Sequence, residues 1–296
     1  MPAVRTLLTH AIDYAGLFPP AQLGMREAVA EYAGYVGGAD AWALGRFVVA
    51  ASRLEEFERE ASALLPRAGA GPWRISALLT PDADPRPLAE FNERHARHEQ
   101  GAAMVDTIEV RAGEPAEIAA AGALARSMVA FVEIPVDRDP APLVDGIRAI
   151  GARAKIRTGG TTADAFPAST DVIRFVRACI DAGVPFKATA GLHHPVRAEY
   201  RLTYDENAPR GTMYGYLNLM LAAAWMLAGL PDEDARALLE ERDAGAFDLD
   251  GDGVRWRGLE LSGAELARAR ERLVLSFGSC SFREPLDDLA ALSLRA

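Results

Sequence analysis

The chain has 296 residues and a formal net charge of −10; an acidic surface of this kind repels phosphate backbones and excludes broad nucleic-acid binding. Half of the residues are hydrophobic and a quarter are charged, which excludes a disordered chain and suffices for one large core. The two cysteines, Cys179 and Cys280, form no disulfide framework and point to a reducing, cytoplasmic setting.

The opening stretch MPAVRTLLTHAIDYAG has neither the long apolar run nor the small-residue cleavage site of a secretory leader. From there, short apolar runs predict strands over Leu7–Ile12, Arg46–Ala51, Trp73–Leu79, Thr107–Arg111, Ala130–Pro135, Ala154–Thr158, Pro185–Thr189 and Leu273–Phe277. Between them, apolar residues three and four apart predict helices over MREAVAEYAGYV, LEEFEREASALL, PRPLAEFNERHARHE, PAEIAAAGALARS, APLVDGIRAIG and STDVIRFVRACIDAG. Several open on Pro or a cap such as Ser169 and close on Gly, as at Gly151 and Gly183. Strands rich in Val, Ile and Phe joined by helices imply a parallel sheet covered by helices. Eight of them in one domain spanning 1–296 fit a closed (β/α)8 barrel, the TIM-barrel architecture. An open doubly wound sheet is the alternative, but no G-x-G-x-x-G follows any strand.

The rhythm breaks between the seventh and eighth strands. Residues 197–270 read as a helical insertion with a short β-turn segment. The stretch TMYGYLNLMLAAAWMLAGL is only marginally long enough to span a bilayer and contains Asn218. It reads instead as a buried helix over 212–229, or as one that meets its copy in a homodimer. A second helix starts at Pro231. The segment AFDLDGDGVRWRGLEL reads as a Gly/Asp turn between short strands. Its Asp248, Asp250, Asp252 and Gly253 resemble a calcium loop, but Glu260 falls one place beyond the twelfth position.

Of the 32 basic residues only two are lysines, Lys155 and Lys187. Where Arg has replaced Lys throughout, the two exceptions mark positions where Arg would not serve. Lys can form a Schiff base and give up its proton; Arg can do neither usefully. Residues two apart share a strand face, so Lys155 points with Arg157, Thr107 with Glu109 and Arg111, and Phe131 with Glu133. If these faces look inward, the barrel mouth holds Asp13, Glu109, Glu133, Lys155, Arg157 and Lys187, where barrel enzymes work. Paired cations on adjacent strands would lower one amine's pKa until it is partly neutral near pH 7, with Glu109 or Asp13 moving protons. A charge lattice that merely fills the barrel is the bland alternative.

The turns Thr158-Gly159-Gly160-Thr161-Thr162, Ala190-Gly191 and Gly278-Ser279-Cys280-Ser281 offer backbone N–H groups to an anion, phosphate or carboxylate. Gly159, Gly160, Gly191, Ser279 and Ser281 are accordingly candidate anion holders beside Arg157 and His193. His193 and His194 follow the seventh strand, and with Glu133 or Glu109 they suggest a competing metal site. His95 and His98 sit on a charged helix and read as solvated. Cys280 reads as a small packed residue.

The order of motifs resembles the deoxyribose-phosphate aldolase branch of the class I, Schiff-base aldolases. IDYAGLFPPA is similar to that family's Asp-bearing opening, GRFVVAASRL to its second strand, VDTIEV to its fourth and FVEIPV to its fifth. AKIRTGG and PFKATAGLHHPVR stand where the family has its two lysine motifs, and FGSCSF where a strand end binds phosphate. The resemblance implies a Schiff base on Lys155, a pKa-lowering Lys187, and Glu109 as the acidic relay where an Asp is usual. Arg157 stands where the family has a small residue, and the His pair and the insertion are foreign to it.

The expectation is therefore a cofactor-free lyase that forms a Schiff base between Lys155 and a small anionic aldehyde or keto compound. The alternatives are a metal-dependent lyase or hydrolase using His193 or His194 with Glu133, and a non-catalytic barrel that binds an anionic metabolite or a protein partner. None of these readings involves a membrane.

Overall fold

The computed structural model describes residues 2–67, 71–96, 101–249 and 251–292. Seven parallel strands come first: β1 (Ile12–Tyr14), β2 (Leu44–Ala50), β3 (Trp73–Leu79), β4 (Ala103–Arg111), β5 (Val129–Glu133), β6 (Arg153–Arg157) and β7 (Phe186–Thr189). Two antiparallel strands, β8 (Ala198–Arg201) and β9 (Arg210–Met213), form a separate pair. Three short strands, β10 (Phe247–Asp248), β11 (Val254–Trp256) and β12 (Leu259–Leu261), form a small meander. The eighth barrel strand, β13 (Val274–Ser279), then closes the ring in the order β1-β13-β7-β6-β5-β4-β3-β2. The fold is a TIM barrel. An open sheet would leave β1 and β7 as edges; β13 pairs in parallel with both.

The predicted strands sit within a few residues of the observed ones, with one exception. The run Leu7–Ile12 is not a strand: Ala3–Leu8 is a helix, and the strand begins only at Ile12. The reason is spacing. Ala3, Val4, Leu7 and Leu8 are buried, and positions three and four apart make one helical face. The segment PAEIAAAGALARS is two helices, Pro115–Ala120 and Gly122–Ser127, rather than one.

The insertion holds the largest departures. Thr212 and Met213, expected in a helix, belong to β9, and the helix runs over Tyr216–Leu227. Every residue from Tyr216 to Met226 is buried within the same chain, against the helices Ser169–Ala182, Asp232–Leu239 and Gly263–Arg272 and strand β13. From Tyr216 to Met226 this helix therefore leaves no free apolar face to offer a second copy. It is the crossover helix between the seventh and eighth barrel strands. Its polar residue, Asn218, is fully used: Nδ2 donates to the carbonyls of Leu238 and Glu241, both at 2.9 Å, and Oδ1 accepts from Arg197 N–H. No described helix is long and apolar enough to cross a membrane.

Asp248 pairs with Arg255 across the β10–β11 turn. Asp250 and His98 lie outside the described residues, and among the described residues no three His, Cys, Asp or Glu side chains converge as metal ligands. His95 is buried, not solvated; it packs on Phe91, meets the Gly101 carbonyl through Nδ1, and lies 3.2 Å from Glu58.

Candidate active site

The barrel interior carries a band of charge at its C-terminal end. Parallel pairing sets Lys155 opposite Lys187 and Glu133 opposite Lys155, so the pleat projects these side chains to one side at one level. Lys155 Nζ lies 2.7 Å from Glu109 Oε2 and 2.8 Å from Glu133 Oε2. Lys187 Nζ lies 2.6 Å from Asp13 Oδ2 and 2.7 Å from Glu109 Oε1. Arg157 Nε donates to Glu133 Oε1 at 3.0 Å. The result is an alternating ladder: Asp13, Lys187, Glu109, Lys155, Glu133, Arg157. Three carboxylates balance three cations, which is how such a density of charge is tolerated out of water.

Two serines complete the ladder. Ser76 Oγ donates to Glu109 Oε1 at 2.7 Å and Ser276 Oγ to Asp13 Oδ2 at 2.9 Å, while Asp13 Oδ1 accepts from Arg46 N–H. Sequence reading overlooked both serines. Their signal was a polar residue on the inward phase of an otherwise apolar strand, in RISALL and VLSFGS. Below them the Phe131 ring sits 5.5 Å from Lys187 Nζ.

The electrostatics differ from the sequence expectation. Burial would lower the pKa of Lys187, but Asp13 and Glu109 reverse this and raise it above the ordinary lysine value. Lys187 is therefore a firm ammonium, not a neutral amine, because a carboxylate stands between the two lysines. Burial would likewise raise Glu109, yet Lys155 and Lys187 hold it well below the usual carboxylate range. Glu133 is lowered in the same way, against burial, by Lys155 and then Arg157.

The two lysines are not equivalent. Both line a cavity of about 260 Å³, with Glu109, Arg157, Gly160, Thr161, Thr189, His193, Gly278 and Cys280. Both are buried, but Lys187 pairs only with the buried Asp13 and Glu109, whereas Lys155 shares Glu133 with the half-exposed Arg157.

Of the candidate anion holders, Arg157, Gly160 and His193 line this cavity, and Gly191 lines a neighbouring one. Gly159 lines neither. It and Gly191 are glycines for another reason: a Cβ on Gly159 would lie 2.5 Å from the Phe166 ring and 3.0 Å from the Gly191 Cα. Gly191 has φ +71° besides. The two turns are pressed together beneath Phe166, so their glycines serve close packing. Ser279 and Ser281 also line neither cavity; Ser281 Oγ instead accepts from the N–H of Glu284 in the last helix, Arg283–Ala291.

The histidines turn away from Glu133. His193 Nδ1 is 3.1 Å from Glu284 Oε2 and 3.9 Å from Cys280 Sγ. His194 Nδ1 meets Asp288, and its ring stacks on Tyr200. Glu133 is occupied by Lys155 and Arg157, so the proposed His/Glu metal set is not assembled. Burial would lower the pKa of His193, but contacts with Cys280 and Glu284 raise it to about 10. The imidazolium and the Tyr204 hydroxyl share the Glu284 carboxylate. Glu284 and Tyr204 escaped the sequence reading because they lie 91 and 11 residues from His193 in the chain.

No family model matches this sequence, and no curated protein matches it. A solved structure similar to it is the lysine/ornithine decarboxylase complexed with cadaverine from Vibrio vulnificus. The identity is 9% and the TM-score 0.37, over 93% of this chain and 58% of that one. This chain thus spans little more than half the length of that protein.

Proposed function

We propose that this barrel is a carbon–carbon lyase that forms a Schiff base between Lys155 and a small oxo acid. The observation that carries the reading is that Lys155 lines a cavity between two carboxylates that can take its proton, with a second lysine fixed beyond one of them. The ladder order also agrees with the resemblance to class I aldolases, whose lysine and acid motifs fall on Asp13, Glu109, Lys155 and Lys187.

The resting ammonium must first lose a proton. Arg157 and Lys155 together depress the proton affinity of Glu133. A substrate carboxylate that engages Arg157 weakens one of these two influences, and Glu133 becomes a better acceptor for the Lys155 proton. The neutral Nζ then attacks the carbonyl carbon and a C–N bond forms. Of the three ammonium protons, one stays on the iminium nitrogen and two leave with the oxygen as water. Glu133 and Glu109 carry them, and Lys187 keeps Glu109 oriented. The iminium accepts the electron pair of the C–C bond as that bond breaks and a substrate hydroxyl gives up its proton. The resulting enamine takes a proton at carbon, and hydrolysis frees Lys155. In the reverse direction the same steps join the two fragments.

A second reading, a charge lattice that only shapes the barrel, is favoured by the exact pairing of three carboxylates with three cations. Borohydride trapping with pyruvate, 2-oxobutyrate and propanal, followed by intact mass and peptide mapping, separates the two. A reduced adduct on Lys155, absent from Lys155→Ala, supports the lyase. A folded protein that takes no adduct from any carbonyl supports the lattice.

A further inference from the structure

The lysine cavity is not closed on its outer side. A second cavity of about 330 Å³ adjoins it, and the two share Pro19, Gly160, Ala190 and His193 as lining residues. Its far wall is the β8–β9 pair and the turn between them. Tyr200, Arg201, Tyr204 and Arg210 line it from that side. His193 therefore stands where the two cavities meet, and the β8–β9 pair roofs only the second.

The charge of that roof is unusual. Arg201 and Arg210 are direct partners in the antiparallel register, so they project from the same face at close range. Like charges set opposite each other destabilise a strand pair. Arg210 has Glu199 Oε1 at 3.6 Å and donates to the Glu199 carbonyl, whereas Arg201 makes no hydrogen bond or salt bridge among the described residues. Arg201 and Arg210, both exposed, thus line a cavity whose own carboxylate, Glu284, is already shared by His193 and Tyr204. His193 adds a third positive group at the inner end, held there by Glu284. An arrangement that costs stability on its own is relieved by an anion, for which paired guanidinium groups are the preferred protein partner.

We propose that this second cavity binds an acidic tail, carboxylate or phosphate, of an elongated oxo acid whose carbonyl end reaches Lys155 past His193. The proposal rests on the Schiff-base reading for its inner end only. The substrate class is then dianionic: one carboxylate beside the carbonyl, at Arg157, and a second acidic group at Arg201 and Arg210. The intervening chain passes Pro19, Gly160, Ala190 and His193, the residues that the two cavities share.

The test compares 2-oxoadipate with 2-oxohexanoate, which has the same chain length but an uncharged end. Each is trapped with borohydride on the full chain, on Arg201→Ala/Arg210→Ala, on the single Arg201→Gln in case the double variant unfolds, and on the remote control Arg26→Ala. The expected result is half-maximal trapping of 2-oxoadipate at a concentration about tenfold lower than of 2-oxohexanoate, the scale of one charge-assisted contact. That ratio falls toward one in the roof variants and persists in Arg26→Ala. Competition by glutarate or by propyl phosphate tells a carboxylate tail from a phosphate tail. A ratio near one in the parent, or one that survives the roof variants, overturns the proposal. If neither oxo acid is trapped on Lys155, the Schiff-base reading fails and the subsite is judged by calorimetry. Binding of glutarate or propyl phosphate that disappears in the roof variants sustains it, and absence of binding overturns it.

Discussion

Lys155 and Lys187 occupy the same register on neighbouring strands, yet one carboxylate spans them: Glu109 places Oε2 2.7 Å from Lys155 Nζ and Oε1 2.7 Å from Lys187 Nζ. Two amines in this register with nothing between them depress each other's proton affinity. With Glu109 between them, each instead sees its nearest charge as negative. Activation of Lys155 therefore depends on moving a proton along the ladder rather than on repulsion between cations.

Glu109→Gln removes the shared charge while keeping the shape. It is expected to slow formation of the trapped adduct about 10²- to 10³-fold, the scale of a lost acid–base group. The measurement is the rate of borohydride-trapped adduct at fixed pyruvate, by intact mass. Trapping at the parental rate would remove Glu109 from the proton path.

Lys187→Met leaves Asp13 and Glu109 buried without their common cation. The expected cost is about 3–5 kcal/mol, as for other buried pairs broken from one side, read from urea unfolding. A loss under 1 kcal/mol would mean that Ser276, Ser76 and the Arg46 N–H already satisfy those carboxylates.

Because the pKa of Glu109 is depressed in the folded state, its pairing contributes stability above its ordinary pKa of 4.5 that is lost as pH falls through the folded value. Between pH 6 and pH 3 the parent should lose more stability than Glu109→Gln, in parallel urea titrations. Equal losses would show that other carboxylates dominate acid unfolding.

His193 works in the opposite direction. Its pKa rises from 6.5 to about 10 on folding, so its contribution is complete below about pH 6.5 and is lost as pH rises through about 10. Unfolding titrations at pH 7 and pH 10 should show a larger drop in the parent than in His193→Gln. An identical drop would place the alkaline sensitivity elsewhere.

Gly191→Ala meets two obstacles at once, a left-handed backbone and a Cβ 2.8 Å from the Phe166 ring. A loss of about 2–4 kcal/mol is expected, seen as a lower Tm. The turn that carries Ala190 and leads to His193 would shift with it, so trapping on Lys155 should fall as well.

The barrel was legible because alternating apolar strands and amphipathic helices leave a mark within each short window of sequence. The strand phases of KIRTGG, FKATAG, VDTIEV and FVEIPV, with Asp13 ending the first strand, grouped Lys155, Lys187, Glu109, Glu133 and Asp13 at one mouth once those faces were taken as inward. The error at Leu7–Ile12 arose because four apolar residues near one another suit either period, and burial against the rest of the molecule chose the helix. The apolar helix was legible as buried, but whether its partner was this chain or a copy was not.

By itself the sequence determined the eight-stranded barrel and which side chains share a strand face, both consequences of local periodicity. Only the tertiary structure decided which acid stands beside which amine, that His193 and His194 turn to Glu284 and Asp288, and that Gly159 and Gly191 touch each other. Those are contacts between segments tens to hundreds of residues apart. They depend on barrel closure and side-chain direction, and an alternation of two along a strand carries no information about its neighbour across the ring.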